Sequence, residues 1–189
     1  LRGSPALSHV AAAQAIYLTG GQNEDCLTLT SCERYHIPTD QWFPAPDLNV
    51  ARYDHSSCAQ GRFLFVFCGR GLNGKALNSI EQLDTVADTT GATKWILIPV
   101  SPDVFPRREH PLAAPINTSE ILIIGGGLFI NKSDVYVFNT ATQQIRRDKD
   151  SLRVSGSNNE FKFECPYNQT YVTRKGEVIA LVKIDYNRK

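Results

Sequence analysis

His9, His55 and His110 each close a short segment, "PALSH", "VARYDH" and "FPRREH", at intervals of 46 and 55 residues. Imidazole is a common ligand for zinc and copper, so three of them could build a metal centre if the fold brought them to one point. Their recurrence argues otherwise. Residues at matching places in successive segments are spread through a repetitive fold rather than gathered, which predicts core or loop-anchoring histidines, with no metal and no cofactor.

Other reactive chemistry is equally sparse. Cys26, Cys32, Cys58, Cys68 and Cys165 form no C-x-x-C pair, and four of them fall within or beside strand-like runs, where a thiol behaves as a small apolar residue. "GRGLNGK", residues 69–75, has the glycines of a phosphate loop, but the "ALNSIEQL" after it is too short for the obligatory helix and predicts a β-to-β loop. "DTTGATKW" resembles the Asp box of sialidases, yet its Asp-to-Gly spacing is one residue too long and a lysine precedes the tryptophan. Asp88 and Gly91 read more simply as turn residues. With no nucleophile elbow either, no catalytic group is expected, and function must rest on surfaces.

Twenty basic and nineteen acidic residues leave a net charge of +1, which removes the long-range field of a nucleic-acid or membrane-surface binder. The longest apolar runs, "FLFVFC" and "ILIIGGG", have strand length, far below the roughly 18 residues of a membrane span. Ser8, His9 and Gln14 interrupt any signal-peptide core near the N-terminus. An odd cysteine count favours a reducing compartment; sequons at Asn117, Asn131 and Asn168 argue weakly the other way, and the expectation is cytoplasmic. A chain without methionine reads as a piece of something longer.

The elements that carry these residues repeat. "IYLTGG" at 16–21 is nearly restated by "ILIIGG" at 121–126, and between them "FLFVFCG" ends at Cys68 and Gly69. The second glycines, Gly21, Gly69 and Gly126, are separated by 48 and 57 residues. Downstream, Tyr35, Leu83 and Phe138 align before a turn, followed by Trp42, Trp95 and Ile145 opening the next strand. Four short strands per unit, with a period near 50, fit a β-propeller blade.

The pattern resembles the kelch repeat: an Arg-x-x-His opening, a strand ending in Gly-Gly, a tyrosine before a turn, and a tryptophan in the last strand. Gly20, Gly21, Tyr35, Trp42, Arg52 and His55 carry the likeness most fully. Gly69, Trp95, Arg107, His110, Gly125 and Gly126 carry it further, with Cys68 replacing one glycine. The resemblance implies an all-β fold, part of a ring of four-stranded antiparallel blades at about 5–48, 49–100 and 105–150, with an incomplete last blade at 161–189. The glycine pairs then let a strand stop abruptly beside the central channel. Tyr35, Trp42 and Trp95 would fill the wedges between blades, and Arg52 and Arg107 would cross to carbonyls or a carboxylate of the adjoining blade. A kelch-type oxidase would need converging Tyr and His ligands for copper, and only four histidines exist.

A polar stretch, "RRDKDSLRVSGSNNEF" (146–161), predicts a long surface loop before the hairpin "QTYVTRKGEVIALVKI". Three and a half blades cannot close a ring, so further blades from the same parent chain or another chain are expected to cover the blade faces at both ends. Recognition is expected on the loops after the glycines, 22–27, 70–76 and 127–132, with Asp25, Arg70, Lys75, Phe129 and Lys132 as contact residues. The resemblance implies a non-catalytic scaffold for protein partners in an intracellular assembly, cytoskeletal or ciliary. Alternatives are the substrate-recognition propeller of a BTB-kelch ubiquitin-ligase adaptor, or an enzyme whose ligands lie in unseen blades. No nucleic-acid or membrane partner is expected.

Overall fold

A computed structural model describes residues 2–87, 93–126, 134–148, 170–172 and 178–180. The described chain is built from β-strands. The first antiparallel sheet contains β1 (Ala6–Val10), β2 (Ala15–Thr19), β3 (Cys32–His36) and β4 (Gln41–Ala45) in sequence order. The second contains β5 (Ser56–Gln60), β6 (Phe63–Phe67), β7 (Ile80–Asp84) and β8 (Ile96–Ile98). The third contains β9 (Leu112–Pro115), β10 (Glu120–Ile124), β11 (Val135–Asn139) and β12 (Gln144–Asp148), and a hairpin follows from β13 (Thr170–Val172) to β14 (Val178–Ala180). Among the described residues the helices are two single 3-10 turns, Ala11–Ala13 and Ile37–Thr39, inside the hairpins of the first sheet. The turn expected at Asp88 and Gly91 lies outside the described residues.

Each sheet stacks on the next, and the sequence of its strands records how many faces are covered. Strand β1, "ALSHV", alternates buried and exposed because one face is packed. Strand β6, "FLFVF", is apolar throughout because it is covered on both sides. Leu64 and Val66 join Val10, Tyr17 and Cys32 of the first sheet, while Phe65 and Phe67 join Ile121, Ile123 and Phe138 of the third. Strand β10, "EILII", divides the same way, with Leu122 and Ile124 in a third cluster beside Val135 and Val137. Each such side chain taken fully out of water contributes about 1.5–3 kcal/mol, so the sheet-to-sheet layers carry most of the stability.

The first strands, β1, β5 and β9, lie beside one another and β13 continues the series. The backbones of these first strands therefore come closest from blade to blade, while the strands ending in glycine meet through their side chains, Tyr17 with Leu64 and Val66 and Phe65 and Phe67 with Ile121 and Ile123. The glycine pairs directly follow the second strands β2, β6 and β10. All six positions, Cys68 included, adopt left-handed backbone, with φ between 54° and 94°. Strand pairing superposes Tyr35 with Leu83 and Phe138, each facing Trp42, Trp95 or Ile145 across its hairpin or, for Leu83, one residue beyond the last paired position of β7 and β8.

Candidate functional site

In the first two blades the second glycine is fixed by the chain that opens the next. Gly21 donates its N–H to Arg52 O (2.8 Å), Arg52 donates to Leu29 O (3.2 Å), and Leu29 donates back to Gly21 O (2.9 Å). The triangle recurs one blade later: Gly69 to Arg108 O (3.0 Å), Arg108 to Leu77 O (2.9 Å), Leu77 to Gly69 O (2.7 Å). On its other side each glycine is pressed against the segment that opens its own blade, since a Cβ at Gly69 would lie 2.6 Å from Tyr53 O and one at Gly126 would lie 2.6 Å from Glu109 O.

These triangles correct the sequence reading of the openings. The equivalent arginines are Arg2, Arg52 and Arg108, and Arg107 is exposed. Arg52 is fully buried, donating to Cys68 O (2.7 Å), Ser79 O (3.2 Å) and Glu81 (2.6 Å). Arg2 repeats this with Gly20 O, Ser31 O and Glu33. In the third blade Tyr136 stands where the glutamate was, and the buried Arg108 lies 4.4 Å from its ring centroid while donating to Gly125 O (2.8 Å). The three histidines are likewise not equivalent. His55 matches Pro5 and Pro111, His9 lies within β1, and His110 precedes the proline. Anchoring the alignment on histidine shifted the third arginine by one place.

Ser4, Asp54 and His110 share a left-handed conformation, with φ of 49°, 52° and 49°. They link blade to blade through Asp54 N to Ser4 O (3.2 Å) and His110 N to Asp54 O (2.8 Å). The His110 imidazole lies 3.2 Å from Asp54, and that hydrogen bond raises its pKa above the usual histidine value. Burial pushes the Asp54 carboxyl upward, but hydrogen bonding to His110 and the His110 charge prevail and hold it below the ordinary aspartate range. Among the described residues no three His, Cys, Asp or Glu side chains gather as a metal site.

Two of the three expected recognition loops rise from the same edge and share one hydrogen-bond plan despite unrelated sequences. In the first, Asn23 N donates to Leu27 O (3.1 Å) and Cys26 N to Asn23 O (3.0 Å), with Cys26 left-handed. In the second, Gly71 N donates to Lys75 O (3.0 Å) and Gly74 N to Gly71 O (2.9 Å), with Gly74 left-handed. Gln22 Nε2 braces the Cys26 carbonyl (3.1 Å) as Arg70 Nη1 braces that of Gly74 (3.0 Å). Arg70 is further held by an ion pair to Glu109, so it supports its loop instead of reaching outward. Asp25 and Lys75 are exposed. Leu27 (61% exposed) and Leu72 (80%) stand on the same loops and were not singled out by sequence, because an isolated loop leucine carries no pattern. Phe129 and Lys132 lie outside the described residues.

Trp95 is buried between the first two blades, as expected, with Nε1 donating to Pro46 O (2.8 Å). Tyr35 and Trp42 do not fill such a wedge among the described residues. They pair with each other, centroids 5.4 Å apart, on a face where Trp42 is 54% exposed.

Residues 6–49 match the kelch motif. No curated protein matches the chain. The three four-stranded antiparallel sheets have the form of kelch blades, and the motif covers the first of them.

Proposed function

We propose that this kelch-bladed chain is a non-catalytic interaction module that holds a protein partner on its loop edge. The observation that carries this reading is the shared loop plan: two rigid, braced loops, set one blade apart, present Asp25, Leu27, Leu72 and Lys75 to solvent on a common edge. Leucines beside charges on a fixed scaffold suit a partner surface with an apolar centre and a mixed-charge rim. Kelch propellers commonly mediate protein interactions, which supports the class of function and leaves the partner open. Among the described residues Cys26, Cys32, Cys58 and Cys68 form no disulfide, in line with the reducing, intracellular setting of this reading.

The test is comparative affinity capture with the full chain and with a variant carrying Asp25→Ala, Leu27→Ser, Leu72→Ser and Lys75→Ala. These side chains are exposed, so the variant keeps the parent melting temperature. Proteins held by the parent and lost by the variant are the expected result; an identical capture profile overturns the reading.

A further inference from the structure

Among the described residues four turns share one feature, an asparagine whose side-chain carbonyl is held by the backbone N–H two residues on. Asn23 Oδ1 accepts from Asp25 (3.1 Å), Asn73 Oδ1 from Lys75 (3.2 Å), Asn117 Oδ1 from Ser119 (2.9 Å) and Asn139 Oδ1 from Ala141 (3.0 Å). Such a bond draws electron density from the side-chain amide and makes its carbon more electrophilic. It also keeps that carbon near the backbone nitrogen of the next residue, which lies within the ring that the turn closes.

The residue after the asparagine decides whether the two can react. Glu24, Thr118 and Thr140 each set a side chain against the attacking nitrogen, whereas Gly74 sets none. Asn73 and Gly74 form the one Asn-Gly pair of the sequence. Space beside Gly74 is open as well, the nearest atom to an added Cβ being the Tyr53 hydroxyl at 3.8 Å. Asn73 and Lys75 are exposed, so water reaches the site. What holds the nitrogen back is one hydrogen bond, Gly74 N to Gly71 O (2.9 Å), and an exposed loop bond of this kind opens at little cost. Its opening leaves the rest of the brace in place, Gly71 N on Lys75 O and Arg70 Nη1 on Gly74 O.

We propose that Asn73 is a site of spontaneous modification in the folded protein, converting to aspartate and isoaspartate on the loop edge. The Gly74 backbone nitrogen bonds to Asn73 Cγ, and the side-chain NH2 leaves with the Gly74 amide proton as ammonia. Water, the sole co-reactant, then opens the cyclic imide. Breaking the new bond between Gly74 N and Cγ gives aspartate on the original backbone. Breaking the bond from Gly74 N to the Asn73 main-chain carbonyl carbon gives isoaspartate, with the chain running through the former side chain and one methylene longer. Either product puts a carboxylate beside Leu72 and two residues from Lys75, offsetting the positive charge of that loop. Isoaspartate also lengthens the loop that Arg70 braces. The consequence rests on the loop edge being the partner surface: the conversion releases the partner that the second loop helps to hold.

The test is peptide mapping by mass spectrometry of the full chain, aged for weeks at neutral pH and body temperature, both native and unfolded in urea. Fragmentation that distinguishes isoaspartate from aspartate assigns the products. In the native chain Asn73 is expected to convert an order of magnitude faster than Asn23, Asn117 and Asn139, with isoaspartate among the products, and within a few-fold of its own rate in urea. An Asn73 that stays intact in the native chain while converting in urea overturns the proposal, because the bond from Gly74 to Gly71 then protects it. Gly74→Ala, whose methyl group meets open space, is expected to slow the conversion to the rate of the other asparagines; conversion at the parental rate overturns the cyclic-imide route. Affinity capture then compares the fresh chain with the aged chain and with Asn73→Asp, and both of the latter should lose partners that the fresh chain holds. If they lose none while the four-substitution variant of the loop edge does, the modification does not control binding and that consequence is overturned. If the four-substitution variant also captures as the parent does, it is the loop-edge reading that fails, and the mapping alone decides the modification site.

Discussion

Arg52 and Glu81 meet at 2.6 Å with both side chains wholly excluded from solvent. Neither serves only the other. Arg52 also holds the carbonyls of Cys68 and Ser79, and Glu81 takes the N–H groups of Asn49 and Val50, so the pair fastens the inter-blade crossing to the second blade. Burial draws the Arg52 pKa down and the Glu81 charge opposes that, which keeps the guanidinium charged and dependent on its partner.

Glu81→Gln should therefore cost about 3–5 kcal/mol, the usual penalty for stranding a buried charge. Arg62→Ala, which removes the exposed ion pair to Asp84, should cost less than about 1 kcal/mol. Urea denaturation of the two variants is the measurement, and equal losses would contradict the fastening role.

Two glycines with similar backbone angles separate strain from crowding. Gly61 (φ 59°) has open space where a Cβ would project, whereas Gly69 (φ 89°) has Tyr53 O at 2.6 Å. Gly61→Ala is expected to cost about 1 kcal/mol from left-handed strain alone. Gly69→Ala adds a collision with backbone that cannot yield, for a total on the order of 2–5 kcal/mol. Comparable denaturation midpoints for the two variants would show that the backbone at Tyr53 and His55 yields to the added methyl group.

The strand plan was legible because its physics is local. A glycine pair after an apolar run, and an aromatic seven residues past Tyr35, fixed register through Tyr35, Leu83 and Phe138. Cys68 shows which glycine matters. The first position of the pair accepts a side chain in the second blade, while the second position is glycine in all three. The arginine of the third blade was misplaced because Arg107 and Arg108 are adjacent, and nothing local says which will turn inward. Only the backbone triangle through Leu77 and Gly69 selects Arg108. Glu33 and Glu81 were missed for the same reason: their value comes from a partner about 30 residues away, and the third blade has a tyrosine instead.

The cysteines should react in a strict order. Cys26 is exposed, whereas burial pushes the Cys32 and Cys68 thiols up to about 12 and the Cys58 thiol upward as well. Since the thiolate is the attacking species, a maleimide near pH 7 should modify Cys26 in the native chain, and Cys32, Cys58 and Cys68 only after unfolding. Peptide mapping by mass spectrometry reads this directly. Early modification of Cys68 would mean that the junction between the second and third blades opens.

His55 and His110 should shift stability with pH in opposite senses. Burial, followed by the charge of Arg52, drives His55 down to about 3, so it stays neutral when folded, with Nε2 2.9 Å from the Thr19 hydroxyl. Below 6.5 the unfolded chain takes up a proton at this residue that the folded chain refuses, so its contribution falls with acidification, by up to about 1.4 kcal/mol per pH unit. His110, raised first by its hydrogen bond to Asp54, contributes stability that is complete below 6.5 and is lost as pH rises through its elevated value. Its side chain is 42% exposed, so solvent screens that contribution and His55 dominates on the acid side. Between pH 6.5 and 5, above the ordinary carboxylate values, urea midpoints of the parent should fall steadily. His55→Gln, which can still hydrogen-bond Thr19 but does not titrate, should start lower and stay level across that interval. His110→Gln should lower the midpoints below 6.5 by a constant amount, leave the acid slope unchanged and remove the decline above 6.5. A parent-like slope in His55→Gln would show that another group sets the acid sensitivity.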